Sequence, residues 1–390
     1  MKQWNEYALT EMGTLQRGRS RHRPRYAFHL YGGPYPFIQT GQIRAASKYI
    51  TSYEQTYSEA GLAQSKLWPV GTLCITIAAN IAEVAILTFD ACFPDSVLGF
   101  TPDKNKCDID FAYYTLKYYQ KELQAHGEGS VQDNINLGTF ENIKFPFPTV
   151  EKQKQISSIL SDLDNKIELL SNQNNTIEEL AKVLFQEKFI INVFEEWEEV
   201  TLDSVCLKIN SGGTPSTKFN EYYKGDINWY STKELNDNYL FSSTSKLSEK
   251  ALNESSAKLF PINTVVIAIY AAPTVGRLGI LATEAAFNQA ACGFVVNEEK
   301  ICFEYLYLHL LLLRQKLNDM ASGTAQQNLN VGLIKNFKIL LPPNEIMTSF
   351  KELIRPMFQK IKENSEQIIK LTELRDFLIP KLLSQDLITQ

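Results

Sequence analysis

The sequence predicts an α+β protein: two repeated mixed strand–helix domains joined by two long helices that pair as an antiparallel coiled coil about a pseudo-twofold axis. Three observations predict it. The chain matches itself at an offset of 194 residues, the distance from Gly129 to Gly323. Short β-branched runs and a single helical pattern follow one another in each copy, without strict βαβ alternation. Each copy then closes on a long heptad-patterned segment.

The repeat is plainest where GSVQDNINLGTFENIKFPFP (129–148) falls on GTAQQNLNVGLIKNFKILLP (323–342). There Gly129, Gln132, Asn134, Asn136, Gly138, Asn142, Lys144 and Pro148 each meet their own kind. Upstream, Gly18 meets Gly212, Leu87 meets Leu281, Phe93 meets Phe287 and Gly99 meets Gly293. With an offset one residue shorter, Trp4 meets Trp197 and Leu9 meets Leu202. Solenoid repeats run about 20 to 50 residues, so two diverged copies of a whole domain-plus-arm unit are the better account.

In order along each copy, the runs TLCITIA (72–78) and TVVIAIYA (264–271) predict strands. FAYYTLKYYQKELQ (111–124) and FEYLYLHLLLLRQKLN (303–318) predict one helix per copy, with His309 in the core. The GxxQxN loop follows, then a strand ending at Pro148 or Pro342. The predicted boundaries are residues 1–148 and 193–342 for the domains, with residues 149–192 and 343–390 for the helices.

In the first arm Ile156, Leu163, Leu170, Ile177 and Leu184 step by seven, and Leu160, Ile167, Asn174 and Ala181 fill the alternate seam. Thr149 and Asn344 are the expected N-caps. The second arm offers Phe350, Ile354, Met357, Ile361, Ile368, Leu371 and Leu378, and Pro356 predicts a kink or restart near Arg355. An antiparallel register sets Ile156 by Leu382, Leu160 by Leu378, Ile167 by Leu371, Leu170 by Ile368, Ile177 by Ile361 and Leu184 by Ile354. It also brings Asn174 opposite Asn364, where two amides can satisfy each other and penalise shifted registers. Leu163 then faces Arg375, whose guanidinium is expected to reach solvent.

Composition narrows the class. At 390 residues with 44% apolar side chains, the chain can bury two cores, and disorder is not expected. The longest apolar run is broken by His309 and ends at Arg314, and MKQWNEYALTEMG has no signal-peptide character. Six scattered cysteines without a CxxC pair argue against zinc or a disulfide framework and fit a reduced, cytoplasmic setting. The net charge of −5 does not by itself announce a nucleic-acid binder, yet five arginines alternate from Arg17 to Arg25 while EEWEE (195–199) gathers acids elsewhere.

The junctions FPFPTVEKQKQI and LLPPNEIMTSF resemble those of type I restriction–modification specificity subunits, where a target recognition domain meets a spacer helix at a proline-rich turn. SGGTPSTKFNEYYKGDINWYSTKEL (211–235) and GRSRHRPRYAFHLYGGPYPFIQTGQI (18–43) are similar to the starts of such recognition domains, and DFLIPKLLSQ to the family's C-terminus. The second arm departs from the family's Glu-Gln pattern, having Glu345-Ile346. The resemblance covers essentially the whole chain. It implies that each domain reads one half of a bipartite double-stranded DNA target and that the helices set the spacing. It further implies two methyltransferase subunits docked on this chain, transferring a methyl group from S-adenosylmethionine to adenine N6. Restriction and translocation subunits using ATP and Mg would complete the assembly, with no catalytic residue, metal or cofactor in this chain and no membrane attachment.

A search for catalytic patterns agrees. There is no GxxxxGK[ST], no GxGxxG and no Asn/Asp-Pro-Pro-aromatic stretch, and the four histidines lack ligand spacing. Pro94-Asp95 could be assembled with Asp164-Asn165-Lys166 into a nuclease signature only by chance.

The candidate DNA contacts begin with Arg17, Arg19, Arg21, Arg23 and Arg25, in an extended loop able to meet phosphate or the guanine edge. Gln39, Thr40 and Gln42 in the first copy and Tyr230, Thr232 and Lys233 in the second offer amides and hydroxyls at equivalent places. Arg277, on a glycine-flanked turn, is a further candidate. Gln132, Asn134, Gln326, Gln327 and Asn328 recur in both copies, so backbone positioning or a subunit contact suits them better than base reading. Two rival readings remain: a specificity partner for a fused restriction–methylation polypeptide, and a coiled-coil scaffold binding protein or sugar.

Overall fold

The computed structural model describes residues 4–21, 24, 26–78, 80–128, 135–191, 197–270, 275–314 and 330–384. Arg23, Arg25 and the repeated GxxQxN residues from Gln132 to Asn134 and Gln326 to Asn328 lie outside them. Two compact units form, one of residues 1–167 with 371–390, the other of residues 168–370.

In the first unit a five-stranded sheet runs in the order Gly13–Arg17, Val97–Pro102, Leu73–Thr76, Val84–Leu87, Tyr49–Ile50. The second unit repeats that order with Cys206–Ser211, Ala291–Val296, Val265–Ala268, Leu278–Leu281 and Asn238–Leu240. All pairings are antiparallel except the last in each sheet, which is parallel. The central strands Leu73–Thr76 and Val265–Ala268 are buried at every position, which explains their continuous apolar runs. The helices Ile109–Tyr118 and Phe303–Leu312 cover one face of these sheets, and His309 is half-buried, stacked on Tyr305.

A smaller sheet accompanies each large one: Gln55–Tyr57, Tyr31–Phe37, Ala91–Cys92 and Leu67–Trp68 in the first unit, and Ser245–Leu247, Ile227–Tyr230 and Ala285–Phe287 in the second. A two-stranded ribbon pairs Trp4–Ala8 with Lys144–Pro148, and its counterpart pairs Glu198–Thr201 with Lys338–Leu341. The alternation of these elements is α+β, as predicted.

The repeated residues turn out to be joints. Asn136 and Asn330 cap short helices by accepting from Thr139 N and Leu333 N. Asn142 and Asn336 donate to the carbonyls of Gly138 and Gly332, at 2.9 and 3.0 Å. A side chain at Gly18 would strike the Pro94 carbonyl, and one at Gly212 the Phe287 carbonyl, so only glycine lets these strands leave the sheet so close to the neighbouring loop.

The first long helix is Val150–Gln186, continued by a π-helical turn Glu187–Ile191, and the second is Asn344–Leu383. Every first-arm seam position named above, from Ile156 to Leu184, is buried or half-buried. Phe185 and Phe189, which the heptad pattern did not single out, are buried as well. The beginning of each helix packs on its own domain. The end of the first enters the second unit's core through Ala181, Phe185 and Phe189, and the end of the second enters the first unit's core through Leu378, Ile379, Leu382 and Leu383.

Three expectations are corrected. The second helix runs unbroken through Pro356 rather than restarting. Asn344 is its first helical residue, since the carbonyl of Pro343 already accepts from Ile346 N and Met347 N. Arg375 does not reach free into solvent; it is bound by Asp164 at 2.9 Å and by Asp376 at 2.8 Å.

Candidate nucleic-acid interface

The arginine segment alternates as an extended chain should. Arg17, Arg19 and Arg21 are exposed while Gly18 and Ser20 between them are buried. Its backbone is pinned to the neighbouring loop by Gly18 N donating to Val97 O and Arg19 N to Phe93 O. Ser65 Oγ adds a bond to the Arg19 carbonyl at 2.8 Å, and Arg17 Nε donates to the Asp95 carbonyl. None of these three arginines is paired with a carboxylate among the described residues. Lys66 extends the basic strip, its ammonium 3.7 Å from the Trp68 ring centre and bonded to Gln16. Burial, then the Arg19 charge, lowers its pKa from the ordinary value.

The polar candidates fare unevenly. Gln42 spends its carbonyl on the Gln39 amide at 3.0 Å, closing the start of the helix Thr40–Ala45. Gln39 donates to Gln55 at 2.7 Å, and Thr40 is half-buried at the first helical position. In the second unit Tyr230 is a correction. It is 1% exposed in the core beside Phe287, and its hydroxyl has no hydrogen-bond partner among the described residues. Burial raises its pKa, and a ring so enclosed cannot touch DNA. Thr232 is withdrawn for the same reason, being buried at the start of the turn Thr232–Glu234. Lys233 beside it is exposed. That turn is held by Glu234, which accepts from Ser231 N at 2.8 Å and Thr244 N at 2.9 Å. Partial burial works to raise the Glu234 pKa, but these amide bonds outweigh it and hold it below the usual carboxylate value.

Arg277 is half-buried next to Gly276, whose φ of 81° turns the chain between strands Val265–Ala268 and Leu278–Leu281. It stands where the first unit has Glu83, which is bound to Lys117 at 3.2 Å, so the same turn carries opposite charge in the two units.

In the second unit the asparagine layer forms as the register requires. Asn364 Nδ2 donates to Asn174 Oδ1 and to Gln173 Oε1, both at 2.9 Å, and Asn174 Nδ2 donates to Ser365 Oγ at 3.1 Å. Both asparagines are buried, so the network satisfies what would otherwise be costly amides.

Sequence reasoning missed the joints between domain and helix. Gln153, wholly buried, donates to the carbonyls of Lys106 and Pro148 and accepts from Asp108 N, all within 2.9 Å. Lys48, 3% exposed, is bound by Asp110 at 2.8 Å and donates to Ser161 on the first helix at 2.7 Å. The rings of Tyr49 and Tyr114 lie about it at 5.0 and 4.8 Å. The second unit solves the same joint with the charge on the helix. Arg355, at the position equivalent to Ser161, reaches Glu304 at 3.0 Å, which is 0% exposed and equivalent to Asp110. Met347 replaces Gln153. The repeat offset is the signal that could have paired these positions.

No group of three or more metal-ligating side chains and no helix long and apolar enough to cross a membrane occurs among the described residues. All six cysteines are free, and five are buried.

A duplicated mixed-sheet unit with long paired helices and a basic exposed strip is the architecture of a repeat-built recognition protein. Its fold matches the crystal structure of a type I restriction–modification system S subunit from M. genitalium, with a TM-score of 0.69 over 98% of this chain and 96% of that one, at 16% identity. The sequence matches the family described as type I restriction modification DNA specificity domain twice, over residues 1–179 and 194–372, and the chain belongs to that family. Among its relatives are the MjaIX specificity subunit of Methanocaldococcus jannaschii, 25% identical over 99% of this chain and 94% of that protein, and the HindI specificity subunit of Haemophilus influenzae, 24% identical over 99% and 100%. Specificity subunits are the non-catalytic members of type I restriction enzymes.

Proposed function

We propose that this chain selects the DNA sequence on which a type I restriction–modification enzyme acts, each domain reading one half of a bipartite target. The observation that carries the reading is the double family match on two units of like strand order whose exposed chemistry differs. The first unit offers Arg17, Arg19 and Arg21, while the corresponding stretch of the second offers Thr214, Ser216, Thr217 and Lys218, with Lys233 beyond. A shared scaffold with unlike exposed loops is what two unlike half-sites require.

In this reading the arginines hold phosphate, and Lys233 and Arg277 serve the second half-site. The helices set the distance between half-sites and dock two methyltransferase subunits. S-adenosylmethionine, ATP and magnesium belong to those and to the restriction subunits, in the cytoplasm. This chain contributes affinity and register and no bond-making step.

Methylome sequencing of cells carrying the chain with its methyltransferase tests the reading. The expected result is methylated adenine in a split motif, one half of which changes when residues 197–342 are exchanged for another family member's second domain. A motif that changes in both halves, or in neither, defeats it.

A further inference from the structure

Beside the arginine strip lies a feature that phosphate binding leaves unexplained. Phe28 is 95% exposed and Tyr26 76% exposed, the two highest values among the large hydrophobic side chains of the described residues, and they lie two positions apart. Their position is fixed by the fold. Phe28 opens the short turn Phe28–Leu30, whose Leu30 is buried. Ser58 donates to the His29 carbonyl at 2.6 Å, and Ser58 N donates to the Leu30 carbonyl at 2.9 Å. Ser58 is also the N-cap of the helix Glu59–Ala63, and Ser65 just beyond that helix holds the Arg19 carbonyl. The segment from Ser58 to Ser65 thus holds the backbone on both sides, at His29 and Leu30 next to the exposed ring and at Arg19 within the arginine strip.

Resting on the DNA-reading function above, we propose that Phe28, flanked by Tyr26, is an apolar wedge inserted between two base pairs of the first half-site while Arg17, Arg19 and Arg21 hold the adjoining phosphates. Outward residues of an extended chain recur about every 6.6 to 6.8 Å, close to the axial rise of about 6.8 Å across two phosphates of one strand. Exposed cations without carboxylate partners favour a polyanion over an apolar protein partner as the occupant of this surface. A phenyl ring has no donor or acceptor with which to read a base edge, so its contribution there is stacking and unstacking. Wedges of this kind open a base step and kink the duplex, which selects flexible steps without base-specific hydrogen bonds.

The test uses the full chain co-purified with its methyltransferase subunits and a duplex that this complex selects from a random library. 2-Aminopurine is placed in turn along both half-sites, except at the adenines that become methylated and at their neighbours, since a methyltransferase flips its target base out of the stack. The expected result is a rise in fluorescence at one step in one half-site. F28A should abolish that rise and weaken binding about tenfold, within the range for lost aromatic stacking on a base, while F28L keeps both. Failure to select any duplex would remove the DNA-reading function itself. A selected duplex with no fluorescent step, or with the same step in F28A, overturns the wedge alone. Loss of the methyltransferase subunits from F28A with unchanged DNA signal would assign the ring to a protein contact and overturn it equally.

Discussion

Replacing Asn364 by leucine probes how the second unit fixes the register of its two helices. The amide of Asn364 gives both its hydrogens away at 2.9 Å, one to the buried Asn174 Oδ1 and one to Gln173 Oε1 on the exposed side of the seam. Asn364→Leu therefore strands Asn174 Oδ1 in the seam, although Asn174 Nδ2 keeps Ser365 at 3.1 Å. A buried acceptor left unpaired costs about 1 to 3 kcal/mol. For a unit of this size each kcal/mol moves the melting transition by about 2 to 4 °C. Asn174→Leu alone should cost a similar amount. The double change removes both ends of the central bond, leaving an apolar layer like those around it, and should recover most of the loss. Calorimetry of wild type, both single variants and the double variant closes the cycle. The expected coupling is at least about 1 kcal/mol favouring the pair. Additive losses, or single variants as stable as the parent, would refute the assignment of this layer as a mutually satisfied pair.

Three further outcomes follow from described interactions. Arg355→Met leaves Glu304 wholly buried without its cation and should destabilise the second unit by about 3 to 5 kcal/mol; denaturant melts should show E304M/R355M recovering most of it. Partial burial works to raise the Glu298 pKa, but bonds from Lys351 and Arg355 bring it below its ordinary value of 4.5. Its stabilising contribution is therefore complete above about pH 4.5 and fades as pH falls through the lower folded value, and acid melts of Glu298→Gln should be flatter there. Arg19→Ala with Arg21→Ala should reduce the slope of log affinity against log salt by about 0.9 for each phosphate no longer neutralised, read by gel shift on a selected duplex; an unchanged slope removes the strip from the interface.

The duplication, the fold class and the helix seams were legible because they rest on periodicity, which survives divergence of the individual residues. The asparagine layer was legible for the same reason, since Asn174 and Asn364 each interrupt an otherwise apolar seam. Tyr230 and Thr232 were misread because a strand end and a surface turn share one composition. Only its 1% exposure, in a core cluster shared with Phe287 of the paired strand, reveals that the Tyr230 ring faces inward. Lys48 was invisible for another reason: its partners Asp110 and Ser161 stand far along the chain, so no local pattern marks a lysine as buried. Pro356 misled because its cost falls on a single turn, whereas the burial of Ile354, Phe358 and Ile361 around it keeps the helix in place.

The exchange of helix ends gives synthesis a direction. The second unit is drawn from one continuous stretch, residues 168–370, while the first is completed by residues 371–390. Leu378, Ile379, Leu382 and Leu383 are made after every other member of the core they cover, more than two hundred residues behind most of it. The unit of residues 1–167 must wait, partly uncovered, until the whole of the other unit has been made. A stop codon just before Leu371 would then do its damage far upstream, uncovering the core of the unit that begins with residues 1–167 and sparing that of residues 168–370, which lies next to the stop.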